Sequence, residues 1–554
     1  MFQDNLLREL VVDNFAGGGG ASTGIELALG VPVDIAVNHD ADAIAMHKVN
    51  HPYTTHYQED VFAINPEKVT GGRPVGLAWF SPDCKHFSRA KGGKPVDKKI
   101  RGLSWVVIKW AMSRSAPRVI IMENVPEIQT WCPLKEINSQ YLPDPERLGE
   151  TFKAFVAILS NGINKDHPAL AEACEFLKIK PESNDFYRLV EGLGYKVAFK
   201  ELRACDYGAP TIRNRFYLIA RNDGQPIVFP KATHGKGLRP YRTAAECIDM
   251  NLPCPSIFGR KKDLATNTQR RIARGLNKFV LQAAEPFIMS NNTGNAPHSI
   301  NEPLPTVTTG NRNFLCAAYL TKYFSGEKQA GASINAPCPT ITGIDHNALV
   351  SVYLSCRYGD GKDGRGKNVS EPVPTITQTD HNQLVAAHLL HYYGGADHAS
   401  QVKKPLPTVT VEPRHYIVKT YLQKLGDEQD LKNWNKIRLL LNNYAGYHIA
   451  DNEILILEIN GTQYFISDIG MRMLRARELM LAQGFPMDYI IDIESRIGKK
   501  YSEAKQIARM GNAVCPPVAT ALVMANCADI ALRRAITTMA ALEIQISRTV
   551  YKVR

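Results

Sequence analysis

Ala78-Trp79-Phe80-Ser81-Pro82-Asp83-Cys84-Lys85-His86-Phe87-Ser88 begins inside an apolar run, Val75 to Phe80, that reads as a buried parallel strand. The run stops at a proline and then a cysteine, where a strand meets its loop. Open α/β sheets place their chemistry at that edge. The loop that follows, Arg89 to Gly102, carries Arg89, Lys91, Lys94, Lys98, Lys99 and Arg101 against the single acid Asp97, with Gly92, Gly93 and Gly102 for backbone freedom. A basic, glycine-containing loop beside a lone cysteine suggests a thiolate that works on a polyanion. The residues alone leave the other reading open: single cysteines are commonly buried small hydrophobes, and charge runs are commonly solvated faces.

Outward from this stretch the pattern of apolar strand and polar tip recurs. Leu10 to Phe15 is a short strand, and Ala16-Gly17-Gly18-Gly19-Gly20-Ala21-Ser22-Thr23-Gly24 turns it into a helix that runs to Leu29. Glycines there let the backbone approach a ligand, and the new helix N-terminus offers free N–H groups. No Gly-Lys-Ser/Thr follows, which argues against a Walker-type phosphate loop. The strand Val33 to Val37 ends in Asn38-His39-Asp40, a position from which an amide or carboxylate reaches ribose hydroxyls. A loop carboxylate with no ligand fits equally well there. A third boundary at Asp60 brings another carboxylate toward the same crevice.

Beyond the cysteine loop, Ser104 to Ser113 reads as a helix and Arg118 to Met122 as a buried strand ending in Glu123-Asn124-Val125-Pro126. Parallel neighbours would bring Glu123 and Cys84 to one edge, one able to share a proton and the other to attack. Residues 129–191 read as a helical insertion. Tyr195 to Leu202 is strand-like, and Cys205 to Arg215 leads into a strand over Phe216 to Ala220. Arg213 and Arg215 share one face at its start and could clamp a base carbonyl or a phosphate; a pair of surface arginines is the plainer reading.

Composition bounds the function. The 554 residues suffice for two or more domains, and 44% apolar with 22% charged residues is ordinary for a globular protein. A net charge of +12 favours a polyanionic partner. The 11 cysteines form no CxxC pair and no zinc-spaced cluster, so neither a disulfide framework nor a bound metal is expected. No stretch reads as an apolar run of the ~20 residues needed to span a membrane, and no membrane association is expected.

Six pieces, in this order, resemble the DNA (cytosine-5) methyltransferase family: Asp13 to Gly20, Ser81-Pro82-Asp83-Cys84, Glu123-Asn124-Val125, Asp206 to Pro210 with Arg213 and Arg215, Arg472 to Leu474 with Arg477-Glu478 and Gln483-Gly484-Phe485-Pro486, and Gly511-Asn512-Ala513-Val514. The resemblance implies an α/β, Rossmann-like methyltransferase domain that binds S-adenosyl-L-methionine, its last motif returning from the C-terminal part. It implies catalytic roles for Cys84, Glu123, Asn124, Arg213 and Arg215. Cofactor contacts would come from Phe15, Ala16, Gly17, Gly19, Gly20, Asn38, Asp40, Asp60, Pro82, Asn512 and Ala513. The family usually has a second proline and a glutamine where this chain has Asp83 and Lys85. Asn38 stands where the family has a ribose-binding glutamate, so that role falls to Asn38 or moves to Asp40, and Thr211 replaces a glutamine.

The middle carries a basic stretch, Gly259 to Lys262 and then Thr268 to Val280, read as a phosphate contact or a solvated helix face. Four repeats follow, beginning at Pro303, Pro337, Pro372 and Pro405 at steps of 34, 35 and 33 residues, each Pro-x-Pro-Thr-(Val/Ile)-Thr. Each precedes a second apolar segment, so a unit reads as a strand pair plus a polar loop, with stacked units sharing a core. The implied organisation is 1–226 catalytic, 227–467 an inserted, mainly β target-recognition domain, and 468–554 a return to the catalytic domain with a C-terminal helix. The expected activity is methylation of cytosine carbon 5 in a specific double-stranded DNA sequence through a Cys84 adduct with a flipped base. The alternatives are an RNA cytosine-5 methyltransferase and a non-catalytic DNA-binding or repeat-scaffold protein. A bacterial or phage, cytoplasmic enzyme acting as a monomer on DNA is expected, with a cognate restriction endonuclease as a candidate partner.

Overall fold

The computed structural model describes residues 8–83, 98–137, 140–249, 251–281, 286–290, 298–299, 313–317, 321–322, 347–348, 353–356, 366–367, 382–391, 398–401, 405–406, 415–425, 431–459, 462–494 and 500–531. Cys84, the loop from Arg89 through Asp97, and the Pro-x-Pro-Thr repeats apart from Pro405 and Leu406 lie outside them. The chain divides into two compact units. One comprises Met1–Arg242, Pro405–Glu412 and Arg475–Arg554; the other comprises Thr243–Lys404 and Pro413–Leu474.

The first unit is built on strands β1 (Leu10–Asn14), β2 (Ile35–Val37), β3 (Thr55–Tyr57), β4 (Val75–Phe80), β5 (Val119–Asn124), β6 (Lys196–Arg203) and β7 (Asn214–Arg221). They form one sheet in the order β3-β2-β1-β4-β5-β7-β6. The first five run parallel, and β7 is antiparallel to both β5 and β6. Helix α1 (Gly20–Leu29) follows β1 and α2 (Ala41–Asn50) follows β2; α3 (Trp105–Met112) precedes β5. Every residue of β4 and β5 is buried, as expected of parallel strands covered on both faces.

Alternation along the strands feeds two cores. Val12, Ala78, Phe80, Ile120, Met122 and Leu218 pack against Trp105 and Trp110 of α3 and Phe155 of α4 (Glu150–Leu159). Val11, Leu77, Trp79, Ile121 and Ile219 pack on the other face against Ile25 of α1 and against Val518, Leu522 and Ile530. The latter belong to a helix over residues 516–531. This is the α/β architecture read from the sequence.

Two expectations need correction. The segment 129–191 is not wholly helical: Leu134–Ile137 and Gln140–Pro143 pair as an antiparallel hairpin before α4, α5 (Pro168–Leu177) and α6 (Asn184–Glu191). Tyr141 and Leu142 with Leu134 and Ile137 supply the strand-forming residues that outweighed the helical reading. A membrane-length apolar stretch does exist, Glu503–Ala531, by length and composition. Its most apolar window is 61% buried inside the protein, and its C-terminal part supplies core residues rather than an outward apolar surface.

In the second unit, Asn382–His391, His415–Lys424 and Thr462–Met473 are consecutive antiparallel neighbours. Tyr353–Cys356 and Ile456–Ile459 flank them. The apolar segments that follow the third and fourth repeats are thus long strands. Helices Thr266–Leu276 and Trp434–Ala445 lay Ile272, Leu276, Ile437 and Leu441 against Val418, Ile466 and Ile469. Arg274 of the basic helix is exposed, while Arg270 lies over the Tyr444 ring at 5.9 Å.

Candidate active site

Register places the sheet's polar tips along one edge. Asn14 pairs with Val37 and with Phe80, Val37 pairs with Tyr57, and Phe80 pairs with Met122. The segments leaving that edge are the glycine loop, Asn38 to Asp40, the approach to Asp60, Ser81 to Asp83, and the Glu123-Asn124 pair. Asn124 Nδ2 donates to the Pro82 carbonyl at 3.2 Å, and its Oδ1 accepts from Val125 N–H. Both ends of that amide are engaged, so Asn124 ties the β5 tip to the segment that leads to Cys84.

Glu123 is buried, and its Oε1 lies 3.2 Å from Arg215 Nε and 3.9 Å from Arg213 Nη2. Arg213, also buried, donates from Nη1 to the Gly511 carbonyl at 3.0 Å. That carbonyl immediately precedes Asn512 and Ala513, at the end of α7 (Glu503–Asn512). The C-terminal return is held from another side by buried Gln483, whose Nε2 donates to Met510 O at 2.8 Å and whose Oε1 accepts from Cys515 Sγ at 2.9 Å. Burial raises the Cys515 thiol to about 11, which keeps it protonated as that donor.

The β1–α1 loop is tight. Phe15 and Gly17 have positive φ of 61° and 54°, Ala16 N–H donates to Val37 O at 3.1 Å, and Gly19 caps α1 at φ 87° with no side-chain cap. The uncapped first turn leaves backbone N–H groups available at the sheet edge. The later glycines also admit close protein neighbours. A Cβ on Gly20 would overlap the Val514 carbonyl oxygen, and one on Gly24 would lie 2.5 Å from Ala519 Cβ. Besides letting the backbone approach a ligand, as expected from the sequence, the glycines of this loop have a second use, the close approach of the C-terminal segment.

Asp40 is fully engaged: Oδ1 caps α2 by accepting from Asp42 and Ala43 N–H, and Oδ2 pairs with Arg509 at 2.6 Å. Asn38 Oδ1 accepts from Asp40 N–H at 2.9 Å, which leaves its NH₂ as the group to offer a hydroxyl. Asp60 Oδ1 accepts from Phe62 N–H at 2.9 Å. Buried Asp13 accepts from Ser22 Oγ at 2.7 Å, and Ser22 Oγ lies 3.0 Å from His47 Nε2. Desolvation pushes the Asp13 carboxyl up to about 7 and His47 well below its usual range. Neither Gln483 nor Tyr489, whose hydroxyl donates to the Gly18 carbonyl, was assigned a role from sequence. Gln483 stood inside a motif already noted, while Tyr489 carries no local signal for a partner 471 positions away.

The chain matches the family model "C-5 cytosine-specific DNA methylase" over residues 10–139 and 370–526, just over half its length. It belongs to that family. The methylase is accordingly a DNA cytosine-5 methyltransferase. It is 23% identical over 259 residues to the Type II methyltransferase M.AquIA of Picosynechococcus sp., covering 44% of this chain and 88% of that relative. M.AgeI of Thalassovita gelatinovora, also a Type II methyltransferase, is 24% identical over 233 residues, covering 41% of this chain and 43% of its own length. The crystal structure of the S. pombe Dnmt2 methyltransferase aligns with 93% of this chain and 97% of its own at 12% identity and a TM-score of 0.38, a likeness too slight to carry an argument.

The family implies S-adenosylmethionine, and the residues present fit it. Both side-chain polar atoms of Asn14 and Asp13 Oδ1 are buried at the β1 tip with no hydrogen-bond partner among the described residues. Burying such groups unpaired costs about 1–3 kcal/mol each, so a polar ligand at this edge would relieve them.

Proposed function

We propose that the methylase transfers the methyl group of S-adenosylmethionine to carbon 5 of cytosine in a specific double-stranded DNA sequence, through a covalent Cys84 adduct with a flipped-out base. The observation that supports this reading best is the in-register edge: the strand leading to Cys84 is paired with the strand ending in Glu123, and Arg215 stands 3.2 Å from that carboxylate. Carbon 5 is a poor nucleophile. Addition of the Cys84 thiolate to carbon 6 breaks the 5,6 double bond and makes carbon 5 enamine-like. Glu123 shares a proton with N3 and accepts from the exocyclic amine, stabilising the charge that addition puts on the ring. Arg215 holds Glu123 and faces the base carbonyl or its phosphate, and Arg213 holds the C-terminal return. When bound, S-adenosylmethionine supplies an electrophilic methyl group. Loss of the carbon-5 proton and departure of Cys84 then restore the aromatic ring and the thiolate.

Phe15, Ala16, Gly17, Gly19, Gly20, Asn38, Asp60, Pro82, Asn512 and Ala513 are the residues we assign to holding the cofactor, with Asp40 acting through α2 and Arg509. Extruding the base costs about a few kcal/mol, recovered in pocket contacts. The segment 227–467 with its repeats reads bases in the major groove. The enzyme works as a cytoplasmic monomer on DNA, nucleoid-associated while bound, within a restriction-modification system that can include an endonuclease.

Duplex DNA carrying 5-fluorocytosine at the recognised position tests the covalent step, because a base cannot remove fluorine from carbon 5 as it removes a proton, and the adduct persists. With S-adenosylmethionine present, wild type should form a denaturant-resistant complex and Cys84→Ser none. An equal complex from Cys84→Ser, or an adduct mapped to another cysteine, would contradict the assignment.

A further inference from the structure

Leu27, Val49, Tyr53, Met487 and Ile490 are large apolar side chains that face solvent on the first unit, Tyr53 at 84% and Met487 at 76% exposure. Leu27 lines a cleft of about 460 Å³ whose walls also include Pro32, Asn50, His51, Asp488 and Tyr489, and the other four each lie within two positions in sequence of a lining residue. The cleft is held by polar ties. Asn50 Nδ2 donates to the Ile490 carbonyl at 2.8 Å, and its Oδ1 accepts from Ile490 N–H at 2.9 Å. His51 Nδ1 lies 2.9 Å from Glu26 Oε2, and the Tyr489 hydroxyl is bonded to Gly18.

Charge narrows what could bind. In a chain of net charge +12, no lysine or arginine among the described residues lines this cleft, and its two acids are Glu26, which pairs with His51, and Asp488. Arg477 donates to the Tyr489 backbone carbonyl at 2.9 Å. DNA phosphates are therefore unfavourable here, and a small polar ligand would leave the apolar rim in water. Exposed apolar groups concentrated around a polar cleft mark a protein-interaction surface, and complementary charge selects the partner.

We propose that this face is a docking site for a partner polypeptide segment that carries an aromatic or aliphatic side chain beside lysine or arginine. The apolar side chain would cover Leu27 and Met487, and the cation would meet Asp488 and Glu26. The test is selection of a displayed random peptide library on the full-length protein with excess duplex DNA present. Leu27→Glu, Met487→Glu and Asp488→Lys, all at exposed positions outside the catalytic and cofactor residues, serve for counter-selection. Enriched peptides should pair an apolar residue with lysine or arginine and bind each variant about tenfold or more weakly, with DNA methylation unchanged. The proposal is overturned by no enrichment, by acidic peptides, or by peptides that bind wild type and all three variants alike. Self-association through this face, seen as a doubled mass that Leu27→Glu abolishes, would also overturn it. Circular dichroism of the three variants separates lost docking from lost fold.

Discussion

Arg213 and Arg215 lie two positions apart and meet different partners. Arg213 is buried between the Gly511 carbonyl and Glu123, whereas Arg215 is closer to the Glu123 carboxylate and also donates to Asn214 O. Arg213→Ala would leave the buried Gly511 carbonyl without this donor while Arg215 still pairs with Glu123, a loss of about 1–3 kcal/mol. Arg215→Ala removes the nearer cation from buried Glu123 and leaves Arg213 at 3.9 Å, which should cost a comparable amount of stability, about 1–3 kcal/mol, but on the order of 10²-fold in methyl transfer. Denaturant unfolding beside single-turnover rates separates the two; equal losses in both measurements would contradict the division of labour. Asp13 adds a pH dependence. Its folded carboxyl titrates at about 7 against an ordinary 3.8, so between those values the folded state binds more protons and stability falls as pH rises. His47, displaced downward from 6.5, acts in the opposite sense below that pH. The stability of Asp13→Asn relative to wild type should therefore grow as pH rises from about 4 to about 7, read from unfolding midpoints; a flat difference would contradict the burial account. At this scale the site types were legible in sequence because strand ends announce themselves by a switch from apolar to polar residues. The pairing of Arg213 with Gly511 was not, since nothing local specifies a bond across 298 positions.

Among the elements, the β1–α1 turn and the C-terminal return act as one piece. Gly24 of α1 faces Ala519 and the Pro516 carbonyl at 2.5 and 2.6 Å from where a Cβ would sit. Because those neighbours are backbone and a short side chain, neither can swing aside. Gly24→Ala should push the 516–531 helix off α1 and cost about 2–3 kcal/mol, overpacking outweighing the helix propensity that alanine gains. Gly30→Ala meets nothing within 4 Å and carries only the penalty of φ 66°, about 1 kcal/mol. Thermal unfolding of the pair, with S-adenosylmethionine binding by calorimetry, should show Gly24→Ala losing both stability and affinity and Gly30→Ala neither to the same degree. The reverse order would show that α1 and the C-terminal helix are not packed this way. The glycine-rich run was legible as a turn into a helix. Its second use was hidden, because only the fold brings Val514 and Ala519 to it.

At the scale of the molecule, six short motifs scattered over both ends of the chain were enough to read an α/β methyltransferase, since four of them sit at strand ends of one sheet, while Arg472 to Leu474 closes a strand of the second unit and Gly511 to Val514 follows a helix. The order β3-β2-β1-β4-β5-β7-β6 itself was not readable: strand order is decided by which apolar faces find one another, and local pattern carries no record of that. The long strands of the second unit were foreshadowed by apolar segments after the repeats. The helices that cover them, Thr266–Leu276 and Trp434–Ala445, were only half visible, the first through its basic face and the second not at all. The central claim remains a reaction at one atom. Wild type and Cys84→Ser should be incubated with labelled S-adenosylmethionine and unmethylated duplex DNA, followed by nucleoside analysis and mapping of the modified positions. The account predicts 5-methylcytosine at one recurring sequence from wild type alone. Equal 5-methylcytosine from Cys84→Ser, or label on an atom other than carbon 5, would contradict it.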